Sequence, residues 1–415
     1  MDGALMTGPN ENELVYDWNR ADAAAAAVAR TVEFNDETLR DGLQSPSVQD
    51  PDIDTKLRIL HLMAGLGIHA VNLGLPGASR RQTDDVSRMC REIRDSNLPL
   101  EPNCAARTLA SDINPICDVS DQVGVPIEVG CFIGSSPIRQ FAEDWSLDRM
   151  LKHTADAVSL AVGRGLPVMY VTEDVVRSHP DTIRALHTTA IENGAQRVCI
   201  CDTVGHATPA GVRALVAHVR SVADATGEEV KVDWHGHRDR GLDVANTMAA
   251  IEAGVDRVHG TALGIGERSG NTPMDLILVN CALEGYIDQD LSTLPEYCRV
   301  VAEAMGWKIP VNYPVIGEDA FRTATGVHAA AVIKARAKGE DWLADRIYSG
   351  VPAGLVGRRQ GIEVGPMSGA SNVSYWLESH AIEPTDARVQ AVFAAAKESA
   401  RVLSESEIKT IVDSI

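Results

Sequence analysis

The sequence predicts an α/β chain: a (β/α)8 barrel followed by a small, mainly helical C-terminal subdomain. Eight short β-rich runs alternate with stretches of helical length over residues 31–285. Such alternation builds a parallel sheet with helices on its faces, and eight units in about 250 residues suit a closed barrel better than an open doubly wound sheet. The chemically reactive residues also fall just beyond the C-terminal ends of these runs, the face where barrels of this kind collect their catalytic groups. Beyond residue 285 the alternation stops.

In chain order, residues 1–30 are polar and then Ala-rich, and read as an extension outside the main core. The candidate strands are TVEF (31–34), AVNLGL (70–75), LPLEPN (98–103), PIEVGCF (126–132), PVMYVT (167–172), RVCICD (197–202), VKVDWH (230–235) and DRVHGT (256–261). Segments such as DTKLRILHLMAGLG and TPAGVRALVAHVRSVADATG supply the intervening helices. Residues 286–415 form the helical subdomain, with a Gly-rich stretch at 349–372.

The formal net charge of −20 over 415 residues excludes a general nucleic-acid binder, because nothing offsets repulsion from phosphates. Any anionic substrate must then meet a local cluster of arginine, lysine or metal. No apolar run approaches the ~20 residues that span a bilayer, and the N-terminus lacks the pattern of an export signal. The 8 cysteines show no framework spacing, which points to reduced thiols and a cytoplasmic protein. Cys199 and Cys201 alternate on one strand and read as barrel core.

WHGHRD places His235 and His237 at i and i+2, on the same side of a strand end. Two imidazoles so placed can share a metal, with Asp41 and Asn271 supplying oxygens, or can simply pack at a barrel rim. The mixed nitrogen and oxygen set suits Mn²⁺, Mg²⁺, Co²⁺ or Zn²⁺ and lacks the thiolates of a structural zinc site. Arg40, in DETLRDG, adjoins a proposed ligand and can meet negative charge developing on a bound carbonyl. It can equally form a salt bridge, with Asp36 and Glu37 as partners. Glu173 follows the fifth strand as a base, or as a group orienting one. Thr203 offers a hydroxyl to a substrate carboxylate or a cap to the following helix. His328, in GVHAA, and Tyr348, in a loop-like context, carry no such pattern and alone read as structural.

DETLRDGLQSP, DTVGHATP, HGHRDRGLDVANTMAAIEAGVDRVHGTALGIGERSGN and IPVNYPVIGEDAF with TGVHAAAVIKA together resemble the DRE-TIM metallolyase superfamily. The likeness is to its 2-isopropylmalate, homocitrate and citramalate synthase branch, over residues of about 30 to 375. It implies an acyltransferase of amino-acid biosynthesis that condenses acetyl-CoA, or a related acyl-CoA, with a 2-oxo acid into a 2-alkylmalate-type product. The default 2-oxo acid is 2-oxoisovalerate; homocitrate, citramalate or citrate synthesis would use another. Asp41, His235, His237 and Asn271 would bind the divalent metal (Mn, Mg, Zn or Co), leaving two positions for the chelating 2-oxo acid. Arg40 would polarise the ketone and Thr203 would bind the substrate carboxylate. Glu173 and His328 would deprotonate the acyl-CoA, with Tyr348 close by. The subdomain carrying His328 would reach the partner's barrel, which implies a homodimer with subdomain exchange. GIGERSGN lacks the catalytic cysteine of the related HMG-CoA lyases, so cleavage is the lesser expectation. A non-catalytic metabolite-binding paralogue would be expected to have lost part of the set formed by Arg40, Asp41, His235, His237 and Asn271. A chain ending near residue 415 would lack the leucine-sensing regulatory domain, so leucine inhibition is not expected. Departures from the branch fall at Asn72, Arg139 and Arg238, read as substrate-binding positions, and at Ala329 and Ala330 beside His328.

Overall fold

The structure, a computed structural model, describes residues 11–20 and 31–415. Eight parallel strands close in sequential order: β1 (Glu33–Asp36), β2 (Ala70–Asn72), β3 (Glu101–Arg107), β4 (Glu128–Gly134), β5 (Val168–Glu173), β6 (Arg197–Asp202), β7 (Lys231–Gly236) and β8 (Arg257–Gly260). β8 returns to β1 in the register Glu33↔Arg257 to Asp36↔Gly260. The fold class read from the alternation is the one observed, a TIM barrel with helices between its strands and a helical C-terminal region.

Two strands lie further along the chain than their composition suggests. β1 runs on through Asn35 and Asp36, poor strand formers, because both side chains are buried with partners. Asn35 Oδ1 accepts from Asn103 Nδ2 (2.6 Å), and the Tyr297 hydroxyl donates to Asp36 Oδ2. β3 continues past Asn103 through CysAlaAlaArg, paired along its length with β4. The helices start where caps dictate: the side chains of Asp52, Ser79, Ser146 and Thr208 accept from backbone N–H groups three residues on. Pro180 and Pro209 each occupy a first turn, where a missing N–H costs nothing.

The chain divides into two compact units. The barrel unit reaches Gln289 and takes in Thr293–Lys308, so it extends beyond the boundary expected at residue 285. The helix Leu294–Met305 belongs to it because Tyr297 is buried against β1, bonding Asp36 and lying 3.1 Å from Thr38 Oγ1. At the N-terminal end of the barrel a closed ion network forms the floor. Asp233 receives Arg197 Nη1 (2.6 Å) and Arg257 Nε (2.7 Å), Arg257 also reaches Glu128 (2.7 Å), and Glu33 takes Arg197 and Lys231. Buried charges persist only when paired in this way.

The second unit holds Asp290–Ser292 and Ile309–Ile415 together with described residues 11–20. Its core gathers Val373, Trp376, Leu377, Val392 and Ile408 from the helices Ala370–Ser379, Asp386–Glu398 and Glu405–Asp413, with Val364 from the segment before them. A smaller cluster lies under the helix Gly326–Ala337. Within this unit Arg346 Nε donates to Glu11 (2.6 Å). The Ala run at 23–27 lies outside the described residues. Among the described residues no helix is long and apolar enough to cross a membrane.

Candidate active site and metal centre

The C-terminal face of the barrel opens into a cavity of about 250 Å³. Its wall includes Arg40, Asp41, Asn72, Glu173, Thr203, His235 and His237 from five different strand ends. Three non-glycine residues on the loops at this face hold positive φ: Asp174 (56°), Leu263 (58°) and Arg268 (54°). Strain of that kind concentrates where function over-determines the backbone.

β7 brings His235 and His237 to one side of the barrel mouth, their Nε2 atoms 3.3 Å apart. Asp41 Oδ2 lies 3.6 Å from the first and 3.8 Å from the second. Burial holds both imidazoles below their ordinary pKa, His235 down to about 3, with His237 adding to the effect on His235. Both rings are therefore neutral near pH 7 and carry the lone pairs a metal requires. Burial opposes ionisation of Asp41, but the Arg40 guanidinium, with His237 and His235, keeps its carboxyl below the usual range. Asn271 closes the group by donating Nδ2 to Asp41 Oδ1 (3.0 Å). A Cβ on Gly266 would stand 2.0 Å from that Nδ2, so only glycine admits Asn271 here.

The donor set fits a divalent cation. Asn271 Oδ1 is buried without a hydrogen-bond partner, the condition of an atom whose natural partner is an ion or water. Glu37, His235 and His259 form a second group with ligand spacing. There, however, both oxygens of Glu37 and both nitrogens of His259 already have partners. The group of Asp41, His235 and His237, with Asn271 beside it, is the one whose geometry could hold a metal ion.

Arg40 is clamped. Its Nε donates to Glu37 Oε2 (2.8 Å), as does its Nη2, while Nη1 lies 3.1 Å from Asp41 Oδ2. Glu173, at the end of β5, is pushed above the ordinary carboxylate pKa by burial, against the pull of Arg139 and Arg40. Arg139 Nη1 stands 3.7 Å from its carboxylate. Thr203 Oγ1 accepts from the Asp174 backbone N–H (2.8 Å), which leaves its own O–H to donate. Asn72 is buried, its Oδ1 accepting from Gly74 N (3.3 Å). Arg238 turns to Asp243, with Nε 3.8 Å from the carboxylate, and neither it nor Arg139 lines the cavity. His328 and Tyr348 belong to the second unit, where their rings stack at 4.1 Å; both are exposed.

The HMGL-like family matches residues 31–301. The chain belongs to this family. Homocitrate synthase AksA of Methanopyrus kandleri is 34% identical over 362 residues, 86% of this chain and 85% of that protein. The 2-isopropylmalate synthase of Sulfolobus acidocaldarius is 30% identical over 92% of this chain and 95% of its own length. The resemblance read from the motifs is thus borne out, branch included. Among solved structures, the HMG-CoA lyase of Brucella melitensis superposes with a TM-score of 0.56 at 17% identity, covering 66% of this chain and 98% of the lyase. That likeness speaks for the fold alone.

Two residues of this HMGL-like site escape a reading of motifs. His259 lies inside β8, bridging Glu37 and Asp233, and Arg268 binds Asp239 (2.9 Å) and the Thr203 carbonyl (2.5 Å). A signal for the first exists: Asp233, His235 and His259 are polar residues at positions of β7 and β8 that point into the barrel.

Proposed function

We propose that the chain joins the enolate of acetyl-CoA to a 2-oxo acid at a divalent metal held by Asp41, His235, His237 and Asn271. The observation that carries this reading is the convergence of two neutral imidazoles and the Asp41 carboxylate beside Arg40, in a chain whose relatives are named homocitrate and 2-isopropylmalate synthases.

When bound, the metal supplies Lewis-acid polarisation of the ketone. Thr203 donates its hydroxyl to the substrate carboxylate. Glu173, partly desolvated and therefore a stronger base than a free glutamate, takes a proton from the acyl methyl group, with His328 and Tyr348 taking part. The methyl carbon then attacks the ketone carbon and the C–O π electrons pass to oxygen, where the Arg40 guanidinium meets the growing charge. Protonation of that oxygen and hydrolysis of the thioester complete the reaction and release the CoA thiol. Asn72, which lines the cavity, bears on which 2-oxo acid enters, and Arg139 does so only through its pairing with Glu173. The active species is a homodimer in which each second unit serves its partner's barrel, and it works in the cytoplasm. The 8 cysteines are all free and buried, which suits a reducing compartment.

Thiol release from acetyl-CoA, measured with Mn²⁺ or Mg²⁺ against 2-oxoisovalerate, oxaloacetate, 2-oxoglutarate and pyruvate, tests the reading. Release that depends on one of these acids supports it, and none with any of them overturns it.

A further inference from the structure

Arg40 ends a buried chain of hydrogen bonds that begins at the barrel floor. Asp233 is clamped by Arg197 and Arg257, and its Oδ2 lies 2.9 Å from His259 Nε2. The other nitrogen of the ring, Nδ1, stands 3.1 Å from Glu37 Oε1, which also accepts from Asn35 Nδ2 (2.8 Å). Glu37 Oε2 then receives Arg40 Nε and Nη2. Asp233, His259 and Glu37 are at most 3% exposed, whereas the Arg40 side chain is 16% exposed at the cavity.

From this geometry we propose that Glu37 and His259 are positioning residues. They fix the plane of the Arg40 guanidinium relative to Asp41 and the cavity. An arginine side chain has several rotatable bonds, and its stabilisation of a developing anion depends on being in place before charge appears. The fork onto Glu37 removes that freedom only if the carboxylate is itself immobile. A ring set between two carboxylates donates from both nitrogens, so His259 locks Glu37 to Asp233. Asp233 in turn is locked by two arginines that belong to the wall of the barrel. Guanidinium orientation is thereby referred to the strands rather than to a loop, as outer-shell partners do for ligands in metal sites. This inference rests on the role proposed above for Arg40.

The test compares Glu37→Gln, His259→Gln and Arg40→Ala as single variants, and the first two again in the Arg40→Ala background. The readouts are kcat, KM for the 2-oxo acid, and Mn²⁺ affinity. Each outer variant is expected to lower kcat roughly 10- to 100-fold, the usual cost of losing an outer-shell partner. KM and Mn²⁺ affinity should stay within about twofold, and the kcat loss should vanish once Arg40 is absent. An equal fold-loss with and without Arg40 would show a general structural role and overturn the proposal. Glu37→Gln carries the test alone if His259→Gln does not fold. Normal kcat in both outer variants beside a crippled Arg40→Ala refutes the relay only. Normal kcat in Arg40→Ala refutes the role of Arg40, and the relay with it.

Discussion

His235 and His237 present their Nε2 atoms to each other at 3.3 Å with Asp41 Oδ2 within 3.8 Å of both, so three donor atoms converge on one point of the cavity wall. A shared divalent cation would satisfy two neutral imidazoles and a carboxylate so close together. Chelation is therefore expected to abolish thiol release, and Mn²⁺ or Mg²⁺ to restore it. His235→Ala should lose bound metal in equilibrium dialysis; unchanged metal content would remove these residues as ligands.

The role proposed for Arg40 is to meet charge that develops in the transition state. Arg40→Ala should lose on the order of 10²–10³ in kcat with a smaller change in KM, as for loss of other oxyanion donors. Near-normal turnover would leave the guanidinium as no more than the ion-pair partner of Glu37.

His187 makes acid stability of the barrel measurable at one residue. It is fully buried between Tyr170 and Thr172, its Nδ1 has no hydrogen-bond partner, and burial pushes its pKa from 6.5 down to about 4. The unfolded chain takes up this proton near pH 6.5, the folded chain only near pH 4. Stability is therefore unaffected above about pH 7 and falls as pH drops from 6.5 towards 4, by ~3 kcal/mol at full effect. Urea unfolding of His187→Gln against the parent should show a shallower pH dependence in that window. Parallel curves would contradict the assignment.

If His328 serves the barrel of a second subunit, two inactive variants should complement. Mixing Arg40→Ala and His328→Ala chains, with subunit exchange verified by labelled protein, should recover up to about a quarter of parental activity, since one of the two sites in a mixed dimer is intact. Exchange without recovery would place the whole site within one chain.

The fold was legible because strand and helix periods alternate cleanly, and because reactive residues sit at one end of every strand that carries them. Strand limits were less so: the strand read at TVEF stops before Asn35 and Asp36, yet their partners Asn103 and Tyr297, distant in sequence, hold them in β1. The donor residues were visible as His-x-His and as polar strand ends. His259 was not, since a single histidine within VHGT looks like core until Asp233 and Glu37 are seen on either side of it. Arg238 stood out by charge, and Asp243, near it along the chain, was open to reading as its partner.

The most direct measurement follows the acetyl methyl carbon. Acetyl-CoA labelled there with carbon-13 is incubated with metal-loaded enzyme and the 2-oxo acid that supports thiol release, and the products are read by NMR. The account predicts the label in a methylene carbon bonded to a new tertiary carbinol. It also predicts loss of that signal with chelator or with Arg40→Ala. Label recovered only as free acetate would show hydrolysis without carbon–carbon bond formation and would contradict it.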